Sequence, residues 1–250
     1  MNGHPPEIHL CSILYLCAVM KYKHLFFDLD HTLWDFETNE QETLQELYHH
    51  HALESRGVPT FEEFSTSYTG HNERLWDRFR KGFITRNDLR YKRFRLTLLD
   101  FKIGDEALNL ALSDQFLAIL PNKKRLFPET VETLNYLAAK QYPMHMITNG
   151  FEETQLLKMK NSGIDHFFTH VITSEVAGSL KPYREIFDYA MMKAGTTAAE
   201  SIMIGDAMEL DIKGAHGVGM DQVYFNPAKP AADFLPTFSI SHLKELRDIL

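Results

Sequence analysis

The chain of 250 residues has only two cysteines, Cys11 and Cys17, and both fall within the first twenty positions. Beyond residue 20 there is no thiol, so neither a disulfide framework nor a cysteine-based metal centre supports the main fold. Long apolar runs are lacking as well. Residues 8–20 (IHLCSILYLCAVM) are apolar but too few to cross a bilayer. They also lack the basic stretch that precedes the apolar part of a secretion signal. Basic charge is in the minority, with 26 Lys plus Arg against 34 Asp plus Glu and a net charge of −8. That balance argues against a nucleic-acid polymer or an anionic membrane as partner, while leaving room for a local basic pocket. Internal repeats and low-complexity segments are absent. What remains is 44% hydrophobic and 24% charged, enough for one large domain or one domain carrying an insertion. Met20 runs directly into Lys-Tyr-Lys and the first strand, so residues 1–19 are expected to be an N-terminal extension outside the fold. The expected compartment is cytoplasmic, and the expected assembly a monomer or homodimer.

Residues 24–33 (HLFFDLDHTL) are the most informative stretch. Leu25, Phe26 and Phe27 read as a short strand covered on both faces, and the run ends in two carboxylates. Alternate side chains of a strand share a face, so Asp28 and Asp30 are expected to aim the same way. Two acids at the end of a buried strand repel one another and lose solvent, which calls for a cation or a shared proton. An acidic turn after a strand is the plainer alternative.

After this strand the chain turns helical. Leu44, Leu47, Tyr48 and Leu53 predict a helix over 37–56 that Gly57 and Pro59 stop. Further helices are expected over 61–81, from a capping box at Thr85 and Asp88 onward, and over 105–119. Four helices in this span suggest a compact bundle. From Phe127-Pro128 strands and helices alternate: helix 129–140, strand 143–148, helix 152–162, strand 168–173, helix 184–194, strand 201–205, helix 208–216, strand 221–225. Strand 238–240 and helix 241–249 end the chain. This alternation means a parallel sheet with helices on both faces. Residues 20–34 and 121–250 then form an α/β core of doubly wound parallel type, and residues 35–120 a helical cap inserted after the first strand.

Three more polar clusters fall at predicted strand ends, where ligands of such sheets bind. Thr148, Asn149 and Gly150 end one strand; a hydroxyl and backbone amides there suit phosphate oxygens, although a Thr-Asn-Gly turn is common. Lys181-Pro182 precedes a helix and is a weak signal alone. Gly205-Asp206 ends another strand, and Asp211 lies in the helix start that follows. Acids there are often dipole partners, but facing Asp28 and Asp30 they make a hard-cation site.

In this order and spacing the four clusters resemble the haloacid dehalogenase superfamily of phosphatases, over the whole α/β core. The helical insertion resembles that superfamily's four-helix cap. A narrower resemblance is to bacterial pyrimidine 5′-nucleotidases. It rests on Phe27 to Asp35 (FDLDHTLWD), Leu75-Trp76, Gly82 to Thr85 (GFIT), Ile147 to Phe151 (ITNGF) and Ser174 to Gly178 (SEVAG) before Lys181-Pro182. Ser179-Leu180 before Lys181 and Ala207 after Asp206 depart from that pattern.

The resemblance implies a hydrolase of small phosphorylated metabolites, with a nucleotide as the expected substrate and Mg²⁺ as cofactor. Asp28 is the expected nucleophile and Asp30 the acid and base, kept protonated when needed by neighbouring carboxylates. Mg²⁺ is expected on Asp28, Asp206 and the backbone carbonyl of Asp30. Thr148, Asn149 and Lys181 are expected at the phosphate, Asp211 beside the metal water or Lys181, and Thr32 bracing the loop. A sugar-phosphate phosphatase or phosphomutase, a metal-independent dehalogenase and a non-catalytic binding protein are the alternatives. His49-His50-His51 reads as solvated surface, and Arg90, Lys92, Arg93 and Arg95 as a solvated helical face. Trp76 and Phe151 are candidates to stack on a base.

Overall fold

The structure is a computed structural model that describes residues 21–227 and 234–250. The expectation for residues 1–19, both cysteines included, lies outside the described residues. Six strands form one parallel sheet: β1 (His24–Phe27), β2 (Met144–Thr148), β3 (Phe168–Thr173), β4 (Ser201–Gly205), β5 (Asp221–Phe225) and β6 (Phe238–Ile240). Their order is β3-β2-β1-β4-β5-β6, so the winding reverses at β1. The fold is therefore the doubly wound α/β type, with its crevice beyond the carboxyl end of β1.

The strand sequences explain the sheet. Phe26, Ile147, Ile172 and Met203 pack on one face against Ile186, Phe187 and Ala190. Leu25, Phe27, Met146, Ile202 and Ile204 belong to the cluster on the other face. A strand buried on both sides needs no alternation of polar and apolar residues, and these have little. Phe27 pairs with Met146 on one side and Ile204 on the other, so three strand ends arrive level with one another.

Between β1 and β2 lie α1 (Phe36–His50), α2 (Phe61–Arg80), α3 (Arg86–Asp100) and α4 (Glu106–Ile119). Each starts on a side chain that satisfies an orphan amide: Asp35 takes Thr38 N, Thr60 takes Glu63 N, and Asp105 takes Leu108 N. Thr85 and Asp88 form the expected reciprocal capping box. Such caps contribute about 1 kcal/mol each. The rings of Tyr68, Phe94 and Phe116 meet at 4.8–5.6 Å between the helices.

The remaining helices flank the sheet: α5 (Thr130–Ala139), α6 (Glu152–Asn161), α7 (Ser174–Ala177), α8 (Arg184–Ala194) and α9 (Lys213–Gly217). Several expectations need correction. The first helix stops at His50, because Ala52 turns left-handed at φ 48°, and Glu54–Arg56 is a separate 3₁₀ turn. The expected helix 208–216 opens as a π turn over Met208–Ile212, and the expected helix 241–249 is a 3₁₀ segment, Leu243–Asp248. Arg93 is not on a solvated face. It is 5% exposed and lies 4.7 Å over the Phe116 ring, because it shares the buried side of α3 with Leu89 and Thr97. His49 and His50 are exposed, while His51 bonds Gln115 at 3.0 Å.

Candidate active site

Asp28 follows β1 directly, and its amide donates to Ile204 O of the neighbouring strand at 2.9 Å. The carboxyl is buried. Lys181 Nζ donates to Asp28 Oδ1 at 2.5 Å and to Ile147 O at 2.8 Å, and stands 2.6 Å from Asp211 Oδ1. This buried ammonium thus joins two acids from opposite halves of the chain. Its position is set by Asn149, whose amide takes Lys181 N at 2.7 Å and donates to Lys181 O at 3.0 Å. Two hydrogen bonds of the Asn149 side chain are therefore spent on the lysine backbone.

Asp206 is held by Thr32, which donates to Asp206 Oδ1 at 2.9 Å and accepts from Asp206 N at 3.1 Å. Thr32 is fully buried and braces the loop against the β4 end. Asp211, also fully buried, accepts from Ala207 N at 3.0 Å. Gly205 makes this possible, since a Cβ there would stand 2.3 Å from Asp211 Oδ2. Asp28, Asp206 and Asp211 each offer one carboxylate oxygen, and these lie within 4.8 Å of one another.

The electrostatics follow from burial. Desolvation pushes Asp28 well above the usual carboxylate range, and Asp211 and Asp206 add to it, against the pull of Lys181. Asp206 is raised to about 6, first by burial and then by Asp211. Burial alone pulls the Lys181 ammonium down, yet Asp211 and Asp28 carry it above its ordinary value. Three carboxyls against one ammonium leave two excess negative charges, the charge a divalent ion cancels. Hard oxygen donors at this separation fit Mg²⁺. Asp211, already engaged by Lys181 and Ala207, would support that ion less directly than Asp28 and Asp206.

Asp30 departs from expectation. The strand ends at Phe27, so both acids lie on the loop beyond it and line the same cleft, with different partners. Asp30 meets α6: Lys158 Nζ donates to Oδ1 at 2.7 Å and Gln155 Nε2 to Oδ2 at 3.0 Å. Its direct partners are a cation and an amide, with the Glu40 carboxyl near enough to feel its charge. Gln155 also donates to Thr148 Oγ1 at 2.7 Å, which accepts from Gly150 N as well. With both acceptor positions used, the Thr148 hydroxyl hydrogen is free to donate into the cleft.

That cleft encloses about 480 Å³ between the sheet end and the helices, lined by Asp28, Thr148 and Lys181 on one side and Glu40, Asn72 and Trp76 on the other. Glu40 accepts from Asn72 Nδ2 at 3.2 Å, and burial pushes its carboxyl up to about 7. Trp76 stacks on Phe151 at 5.7 Å, and Arg86 lies 4.3 Å over Phe151 while pairing with Glu175. These two aromatic rings thus stack on one another beside the cleft, which Trp76 lines.

The residues singled out in the sequence therefore surround one crevice, Asp30 among them, with its carboxyl also bonded to α6. Gln155 and Lys158 were missed. No local signal marked them, since the Leu156-Leu157 pair between them reads as the side that packs on the sheet.

The haloacid dehalogenase-like hydrolase family model matches residues 22–219. The chain is 31% identical to the HAD-hydrolase YfnB of Bacillus subtilis, over 92% of this chain and 96% of that protein. It is 28% identical to the pyrimidine 5′-nucleotidase PynA of Streptococcus pneumoniae, over 92% and 96%. With the pyrimidine 5′-nucleotidase YjjG of Escherichia coli it shares 30%, over 92% and 99%. The crystal structure of YfnB bound to magnesium superposes with a TM-score of 0.81 at 28% identity, covering 92% of this chain and 98% of that one.

Proposed function

The chain belongs to the haloacid dehalogenase-like hydrolases, and on that premise we propose that it is a Mg²⁺-dependent phosphate monoester hydrolase acting through an aspartyl-phosphate on Asp28. A pyrimidine nucleoside 5′-monophosphate is the favoured substrate. The observation that carries the reading is the convergence of Asp28, Asp206 and Asp211 within 4.8 Å beside Lys181.

Asp28, Asp206 and the Asp30 backbone carbonyl would hold Mg²⁺, which when bound offsets the excess negative charge and lets a phosphate dianion approach. An Asp28 carboxylate oxygen forms a bond to phosphorus, and the bond from phosphorus to the leaving oxygen breaks. Asp30 gives that oxygen its proton. In the second step a water oxygen bonds to phosphorus, Asp30 takes the water proton, and the bond between Asp28 and phosphorus breaks. The free Thr148 hydroxyl donates to a phosphoryl oxygen, and Lys181 does so by exchanging its bond to Asp28 for one to the phosphoryl group as the Asp28 oxygen turns to phosphorus. Asn149 fixes Lys181, and Thr32 fixes Asp206. We read α1–α4 as the cap that covers the leaving group. Its Glu40 and Asn72 offer an acceptor and an amide to the edge of a pyrimidine.

A sugar-phosphate phosphatase is the second reading, favoured by the acidic wall of the cleft, where Glu37, Glu40 and Glu73 suit hydroxyl groups. A kinetic panel separates the two: uridine, thymidine and cytidine 5′-monophosphates against pentose and triose phosphates, with and without Mg²⁺. The expected result is Mg²⁺-dependent hydrolysis with the highest kcat/KM on a pyrimidine nucleotide. Asp28→Asn should remove at least about 10³-fold of turnover while keeping the fold. A well-folded preparation that hydrolyses no monoester overturns the reading.

A further inference from the structure

Helix α6 is built the wrong way round for packing alone. Gln155 and Lys158 are 1% and 2% exposed, while Leu156 and Leu157 beside them are 44% and 41% exposed. An ordinary amphipathic helix buries its leucines and leaves lysine in water. Burying an ammonium costs several kcal/mol unless it is well paired. Lys158 has three compensations: Asp30 at 2.7 Å, the Trp34 ring at 4.3 Å and the Phe36 ring at 5.0 Å. Trp34 and Phe36 flank the same loop that carries Asp30, so the lysine is seated where the acid needs it. Gln155 ties this arrangement to the phosphate end, because one amide nitrogen donates to both Asp30 and Thr148. Gly150 leaves space for that amide, as a Cβ there would stand 2.4 Å from Gln155 Cδ.

We propose that Lys158 and Gln155 are positioning residues for Asp30: together they hold its carboxyl in one orientation, in fixed relation to the Thr148 hydroxyl, for proton transfer to the leaving oxygen and from water. The inference rests on the assignment of Asp30 as acid and base under the proposed function. Each donor takes a different Asp30 oxygen, which fixes the plane of the carboxyl as well as its place. General acid–base catalysis contributes about 10²–10⁴-fold, and a misplaced acid loses most of it.

The test compares uridine 5′-monophosphate, whose alkoxide needs a proton to leave, with p-nitrophenyl phosphate, whose leaving group does not. Lys158→Met should lower kcat on the nucleotide about 10²-fold. On p-nitrophenyl phosphate the same variant should show a burst of about one nitrophenolate per site and then slow turnover, because only the water step needs the base. Lys158→Arg should recover most of the loss. In an Asp30→Asn background, Lys158→Met should cause no further loss. Equal losses on both substrates with no burst, or a further loss in the Asp30→Asn background, overturn the inference in favour of a purely structural lysine. So does wild-type behaviour of Lys158→Met. Asp30→Asn with full nucleotide activity instead overturns the acid–base assignment itself. Should Lys158→Met not fold, Gln155→Met reads the same comparison with a smaller effect.

Discussion

At the carboxyl end of the sheet, Asp28, Asp206 and Asp211 crowd around Lys181. In its amino-terminal half, His24, His145 and His170 from three adjacent strands stack on one another. The His145 ring lies 5.3 Å from His24 and 5.2 Å from His170, with planes within 13° and 12°. His24 Nδ1 and His145 Nε2 are 3.0 Å apart. Both regions gather titratable groups that water would rather keep, yet they settle the cost differently. The acids are partly balanced by a fixed ammonium and keep an excess of negative charge. The central histidine is kept neutral: burial first, then His24 and His170, push His145 down to about 4. His24 is lowered as well, by burial foremost, despite the pull of Glu200. An unbalanced cluster is ready to take a cation; a neutral stack holds strands together and asks for nothing.

The two regions should respond to acid in opposite directions, which gives the comparison its tests. The largest effect is expected from Lys181→Met. Removing the ammonium leaves the buried carboxyls of Asp28 and Asp211 without their cation, which should cost about 3–5 kcal/mol in the absence of divalent ions. Asp206 is raised to about 6 even with the lysine present, so the folded state already binds more protons than the unfolded chain below that pH. Stability of the variant should therefore recover as pH falls from 8 towards 6. Urea midpoints across that range check it; a deficit that grows on acidification would break the charge account.

His145→Phe should show the reverse at the other end. The folded-state value of about 4 lies below the 6.5 of a free imidazole, so the unfolded chain takes up the proton first. Stability from this group is full above pH 6.5 and drains away as pH falls towards 4, on the order of 3 kcal/mol in all, about 2 kcal/mol of it by pH 5. A phenyl ring keeps the stacking with His24 and His170 but cannot charge. Relative to wild type, the variant should gain about 2 kcal/mol between pH 8 and pH 5. Parallel pH profiles for the two proteins would show that His145 contributes nothing to acid sensitivity.

Much of the carboxyl end was legible in the sequence because each motif is local: a strand, its last residues and a turn. Asp28, Thr148 and Asp206 come out where strands end, with Lys181 on the loop before α8, and the parallel sheet brings strand ends together without further information. The direction of Asp30 was not legible. It depends on Lys158 and Gln155, over a hundred residues away, and a helix containing Leu156-Leu157 gives no local sign that its polar residues face inward. Arg93 escaped for the same reason, since its burial is decided by α3 lying between two other helices. The histidine stack was invisible because single histidines in three separate strands become neighbours only through register: His145 pairs with Phe26 and His170. Side chains that act within one element were readable; those that act across elements were not.

The smallest effect sharpens the comparison by moving the charge into water. Arg86 and Glu175 join α3 to α7 by an ion pair, but their side chains are 48% and 34% exposed. Exposed pairs contribute about 0–1 kcal/mol, because water already stabilises the separated ions. Arg86→Gln should therefore change stability by less than about 1 kcal/mol, and most of that should vanish in 0.5 M NaCl, where screening acts within a few ångströms. The substitution also removes the guanidinium lying over Phe151, so the part that persists in salt measures that ring contact. A salt-independent loss of more than about 2 kcal/mol would mean that burial is not what separates strong from weak charge pairs in this fold.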